Sequence, residues 1–163
     1  MNKGKWVTIN GTHVFIQDQN YRIIKNIKTN SFTKKYNDDV TYICKITAIN
    51  DIEKEYGKLK NYDLIVTDER LKHIIERRKD DAFVVADSIE KTIKEYDAIY
   101  DDTIEGKNRE PGVVYVKKIA ENMTCAVAVA LSTKNSNKAN SIITGIILSD
   151  SVNRYLKNRK KIV

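Results

Sequence analysis

Apolar and polar positions change their spacing several times along this chain, and each change marks an element. WVTI and THVFI are β-rich runs joined by Asn10-Gly11, the dipeptide best suited to a type I′ turn, so a β-hairpin is predicted. Residues 20–40 are polar and show no clear period. TYICKIT at 41–47 reads as a strand, NDIEKEYGKLK at 50–60 as a short helix or turn ended near Gly57, and 62–67 as a short strand. Helical spacing then begins. Thr67 or Asp68 can cap a helix running to about Lys79, because a short oxygen-bearing side chain accepts from the free amides of the first turn. Phe83, Ala86, Ile89 and Ile93 predict a second helix over 82–95.

Beyond that helix the period shortens. Residues 98–103, 112–119, 123–131 and 141–148 are four extended runs, separated by the Gly106–Pro111 loop, a turn near Glu121-Asn122 and STKNSNKAN. Short neighbouring runs favour an antiparallel meander, since parallel pairing requires crossover helices. The pattern predicts an α+β fold of helices followed by an antiparallel sheet. Ser151 to Lys160 reads as a final basic helical turn or tail. No internal repeat is visible, and 132–141 is the one stretch of low complexity.

At 163 residues and 18.8 kDa, the chain suits one core. No apolar run approaches the roughly 20 residues of a membrane span. The N-terminus has no continuous apolar stretch and no small-residue cleavage site, so a cytoplasmic protein without membrane partners is expected. Cys44 and Cys125 lie far apart with no CxxC or Cys/His cluster, which predicts buried thiols and gives zinc no support. The net charge of +7 is unevenly distributed: +6 over residues 1–35 and +5 over 151–163, leaving −4 between them. Basic ends around a mildly acidic middle suit a protein that meets a polyanion, although terminal lysines also serve solubility.

The helix starting near Thr67 carries the most pointed chemistry, in VTDERLKHIIERRKD. At 100° per residue, Leu71, Ile74, Ile75 and Arg78 share one side, while Arg70, His73 and Arg77 fall on another. The first set can anchor the helix to a sheet. The second places two guanidinium groups and an imidazole within reach of one phosphate. The plainer reading is a solvated face, with Arg70 and Arg77 paired to Glu69, Glu76 or Asp80. His13, just after the Asn10-Gly11 turn, reads as a strand-surface residue.

The succession LIVTDERLKHIIERRKDD, DSIEKTIKEYDAIYDD, VVYVKKI, CAVAVALST and NSIITGIILSD, followed by a basic tail, resembles the phage-associated branch of the barnase, EndoU, colicin and RelE nuclease group. The likeness runs from about Cys44 to Val163 and is strongest in VTDERLKHIIERR and NSIIT. KWVTINGTHVFI is similar to segments preceding such domains in phage head-associated proteins. The resemblance implies a nuclease domain over 41–163, preceded by a hairpin and basic extension over 1–40. It also implies helices packed on a four-stranded antiparallel sheet and a ribonuclease site that uses no metal or other cofactor. In that group the site combines a helix histidine, a basic residue on an inner strand and a Ser or Thr on the last strand. Here those are His73, Lys117 or Lys118, and Ser141 or Thr144. Alternation puts Lys117 and Lys118 on opposite faces, and Ser141 and Thr144 likewise if their strand is regular.

Relatives often continue the helix with Arg-His-Pro, where this chain has Arg77-Arg78-Lys79. A second imidazole is therefore absent. His73 can carry one proton in a transesterification, Arg77 with Lys117 or Lys118 can hold the phosphate oxygens, and Ser141 or Thr144 can donate to them. The other proton transfer falls to a tyrosine, a lysine or water. Tyr115 and Tyr155 are candidate base stackers, with core or edge packing the plainer reading of both, and Arg70, Lys134 and Lys138 candidate backbone contacts, with RNA, tRNA included, as the partner. A phage head protein or an immunity-type protein is a further candidate partner, and virion association a further location. The alternatives are a non-catalytic nucleic-acid-binding domain and a structural domain of a phage head-associated protein.

Overall fold

The computed structural model describes residues 4–9, 12–17, 22–26, 40–78, 81–102, 111–133 and 139–163, with side chains from residue 40 onward except those of Ile75, Arg78 and Phe83. The N-terminal hairpin consists of β1 (Gly4–Ile9) and β2 (Thr12–Gln17), paired from Gly4↔Gln17 to Ile9↔Thr12. That register leaves a two-residue connection, as the Asn-Gly dipeptide requires. A third strand, β3 (Arg22–Asn26), extends it into a three-stranded antiparallel sheet. Nothing in the period of residues 20–40 indicated that strand.

The larger unit opens with β4 (Val40–Lys45) and α1 (Ile49–Tyr56). Gly57 ends α1 at φ +91°, a conformation that costs glycine little, and its N–H donates to the Glu53 carbonyl. Next come β5 (Asp63–Thr67), α2 (Asp68–Arg78) and α3 (Ala82–Lys94). The chain continues through β6 (Ala98–Asp101), β7 (Gly112–Ala120), β8 (Met123–Ala130) and β9 (Asn140–Leu148), and ends in α4 (Val152–Leu156) with residues beyond it.

These strands form one six-stranded sheet in the order β4-β5-β9-β8-β7-β6. The expected four-stranded antiparallel sheet is thus corrected to a mixed α+β sheet. β6 to β9 do form the expected antiparallel meander, but β5 adds to β9 in parallel, with Leu64↔Asn140 and Ile65↔Ser141. The physical reason is a long connection. The α2–α3 pair carries the chain from β5 to β6 at the far edge of the sheet, and β6, β7 and β8 bring it back, so that β9 arrives beside β5 running in the same direction. β4 completes the sheet as β5's antiparallel neighbour.

Two apolar clusters lie on the two faces. On one, Leu71 and Ile74 of α2 and Ala82, Val85, Ala86, Ile89 and Ile93 of α3 pack over Leu64, Val66, Tyr115, Cys125, Val127, Val129 and Ile142. This is a helical stripe meeting alternate strand positions. On the other, Val152, Tyr155 and Leu156 of α4 lie over Ala98, Val114, Val116, Ala126 and Leu148. α3 approaches β9 so closely that a Cβ on Gly145 would fall 2.6 Å from Val85 Cγ1. Among the described residues, no helix is long and apolar enough to cross a membrane.

Candidate nucleic-acid interface

The β5–α2 junction sets the orientation of the candidate helix. Thr67 Oγ1 accepts from the Arg70 N–H at 3.1 Å, which satisfies one of the free donors of the first turn. Of the two caps open to the sequence, Thr67 fills the role. With Leu71 and Ile74 fully buried, the opposite side of α2 faces outward, and Arg70, His73 and Arg77 are all exposed. The stripe expected from helical geometry is present. Beside it lies an open cleft of about 640 Å³ lined by Asp68, Glu69, Arg70, Lys72, His73 and Glu76.

The lining changes the electrostatic picture. Three carboxylates share the cleft with Arg70, Lys72 and His73, so this is a mixed surface and not a purely cationic one. Glu69 and Glu76 stand four residues before and three after His73, within side-chain reach on a helix. That spacing was visible in the sequence, where both acids figured only as partners of the arginines. As members of the cleft they supply carboxylate oxygens beside an imidazole, a pair able to hold or move protons at one site.

The strand candidates separate by face. Lys117 pairs across the strands with Cys125 on the α3 side, with its ammonium 3.7 Å from Asp97. Lys118 pairs with Thr124 and takes the α4 side, where it is exposed, and its backbone N–H donates to Asp97 at 2.7 Å. These two lysines do occupy opposite faces, as alternation requires. Ser141 and Thr144 do not. A register shift between Ala128 and Val129 leaves Ile143 as an extra residue on β9, so Ser141 opposes Ala130 and Thr144 opposes Ala128. Both hydroxyls therefore share the α4 face, because a bulge resets the alternation. His73 lies beyond the other face. The structure brings Arg70 and His73 together in the cleft with Arg77 one turn on, and it groups Lys118, Ser141 and Thr144 on the far side of the sheet.

Both proposed base stackers have other employment. Tyr115 is fully buried, donates from its hydroxyl to the Thr47 carbonyl at 2.9 Å and meets Tyr96 edge-on at 5.9 Å. Burial pushes that hydroxyl well above the usual phenol range. Tyr115 is a core residue, the packing role that the sequence reading set beside base stacking. Tyr155 packs partly buried under α4, and the Arg159 guanidinium lies 4.6 Å from its ring centroid, so one face is already taken. Lys134 and Lys138 lie outside the described residues. Cys44 and Cys125 are free and buried, as expected.

The C-terminal segment, expected as a basic helical turn or tail, forms α4, and the residues after it dock on the sheet edge. The Asp101 N–H donates to the Lys160 carbonyl at 2.7 Å, the Ile162 N–H donates to the Ile99 carbonyl at 2.7 Å, and Tyr100 bridges antiparallel to Lys161. Arg159 pairs with Asp102, and Lys160 with Glu55 at 2.6 Å. No family model matches this chain, and neither does any curated protein or solved structure.

Proposed function

We propose that the protein is a metal-independent RNA endonuclease, associated with a phage or prophage, that cleaves by attack of the 2′-hydroxyl on the adjacent phosphate. The observation that carries the reading is the exposed His73 in an open cleft with Arg70, Glu69 and Glu76. In the cleavage step the 2′-oxygen bonds to phosphorus and gives up its proton, the P–O5′ bond breaks, and the 5′-oxygen gains a proton. His73 carries one of these protons, and Glu69 or Glu76 the other. This replaces the tyrosine, lysine or water otherwise required by the missing second histidine. Arg70 and Arg77 stabilise the nonbridging oxygens as negative charge grows there.

The reading is tested with tRNA and mixed RNA incubated in EDTA. Wild-type protein should leave 2′,3′-cyclic phosphate ends. His73→Ala should lower the rate by about 10² to 10⁴, and whichever of Glu69→Gln and Glu76→Gln removes the second proton carrier should abolish one limb of the pH–rate profile. No cleavage by the wild type, or equal cleavage by His73→Ala, sinks the catalytic reading. The second reading is a domain that binds nucleic acid without cutting it. It is favoured by the placement of Lys118, Ser141 and Thr144 across the sheet from His73. Steeply salt-dependent RNA binding without cleavage selects it.

A further inference from the structure

The docked tail divides the basic residues after Asp150 into two groups. Arg159 and Lys160 are committed to Asp102 and Glu55, which holds the tail against β6. Arg154, Lys157 and Lys161 are exposed and have no ion-pair partner among the described residues. Their directions follow from the packing. Val152, Tyr155 and Leu156 turn toward the sheet, so Arg154 stands on the outer side of α4, and Lys157 follows in helical backbone conformation. Lys161 bridges to Tyr100, whose side chain belongs to the α4-side cluster, so Lys161 takes that face too. Lys118 shares the face, exposed and likewise without an ion-pair partner among the described residues. Asp150 is the one acid from residue 149 to the end of the chain.

The contrast with the α2 side decides the inference. There, three carboxylates offset the bases within a single cleft. On the α4 face, four cations stand largely uncompensated on a scaffold fixed by strand pairing and two ion pairs. Fixed, largely uncompensated cations on the face that also carries Ser141 and Thr144 suit a repeating anion, namely the sugar–phosphate backbone of RNA. We propose that the α4 face, through Arg154, Lys157, Lys161 and Lys118, is an RNA-backbone docking surface on the side of the sheet opposite the α2 cleft. This rests on the reading of RNA as the partner, but not on cleavage.

The test uses the full chain and a fluorescein-labelled 2′-O-methyl RNA oligomer, which cannot undergo transesterification, so binding is read independently of catalysis. Affinity is measured by anisotropy across a salt series for wild type, for Arg154→Gln/Lys157→Gln/Lys161→Gln, and for a control triple of exposed helix-side lysines, Lys54→Gln/Lys58→Gln/Lys91→Gln. Circular dichroism confirms that both triples are folded. The α4-face triple should lose at least tenfold in affinity, and its slope of log affinity against log salt should fall by about 2 to 3. The control triple should stay within about threefold of wild type. Equal losses in both triples, an unchanged α4-face triple, or a wild type that binds anionic phosphatidylserine vesicles but not RNA would each overturn the proposal. If RNA binds through the α4 face while natural RNA goes uncut, the docking surface stands and the catalytic reading falls.

Discussion

Asn140 shows what one buried polar side chain can hold together. It is fully buried, its Nδ2 donates to the carbonyls of Asn61 at 2.6 Å and Asp63 at 3.0 Å, and its Oδ1 accepts from the Ser132 N–H at 2.7 Å. One amide thus ties the entry to β5, the exit from β8 and the start of β9. Truncation to Ala would strand two carbonyls and one N–H away from water, at about 1 to 3 kcal/mol for each group left unsatisfied. Asn140→Ala should therefore destabilise the fold by about 3 kcal/mol or more, read as a lower midpoint in urea at unchanged m-value. In the sequence Asn140 looked like loop, one of several polar residues in STKNSNKAN. Its role depends on a segment nearly eighty positions upstream, which no local pattern can announce. Ser141 and Thr144 carry the same lesson in another form, because their common face depends on a bulge.

At the scale of the element, α2 was the best-read part of the chain. Its start, its buried Leu71 and Ile74 and its outer Arg70, His73 and Arg77 all followed from a 3.6-residue period and a short capping side chain. Thr67→Ala removes the cap to Arg70 and should cost about 1 kcal/mol. Hydrogen exchange should quicken in the first turn of α2 more than in α3. Because the candidate side chains stand on that turn and the next, cleavage should fall with little change in the fold. Unchanged exchange at residues 68–71 would show that the cap contributes nothing. β7 was equally legible, since alternation alone placed Lys117 and Lys118 on opposite faces. β3 and the docked tail were not. Short polar segments acquire strand conformation only by borrowing hydrogen bonds from a neighbour that lies distant in sequence or has no pattern of its own.

For the whole molecule, the long return from β5 through α2, α3 and the strands β6 to β8 to β9 is the decisive event, because it joins the β4–β5 pair to the meander as a mixed sheet, with α2 and α3 on one face and α4 on the other. Burial by those layers has a measurable consequence. It pushes the Cys44 thiol up from 9.0 to about 11, with Glu90 adding to the effect and Lys94 opposing it. It pushes the Cys125 thiol up to about 11 as well. Both thiols favour the proton more strongly when folded. Their contribution to stability is therefore complete below about pH 9, the unfolded value, and is lost as pH rises towards about 11. Urea midpoints should fall over that window, and Cys125→Ala should flatten the decline. A flat wild-type profile between those limits would contradict the burial argument. By itself, the sequence determined the hairpin, the two central helices, the four-run meander and the Arg70–His73–Arg77 stripe. These depend on residues a few positions apart, where periodicity and capping act. Only the tertiary structure decided the parallel β5–β9 pair, the shared face of Ser141 and Thr144, the burial of Tyr115, the docking of the tail and the acids in the α2 cleft. Each of those depends on which distant segment lies alongside, and that is set by the packing of the whole core.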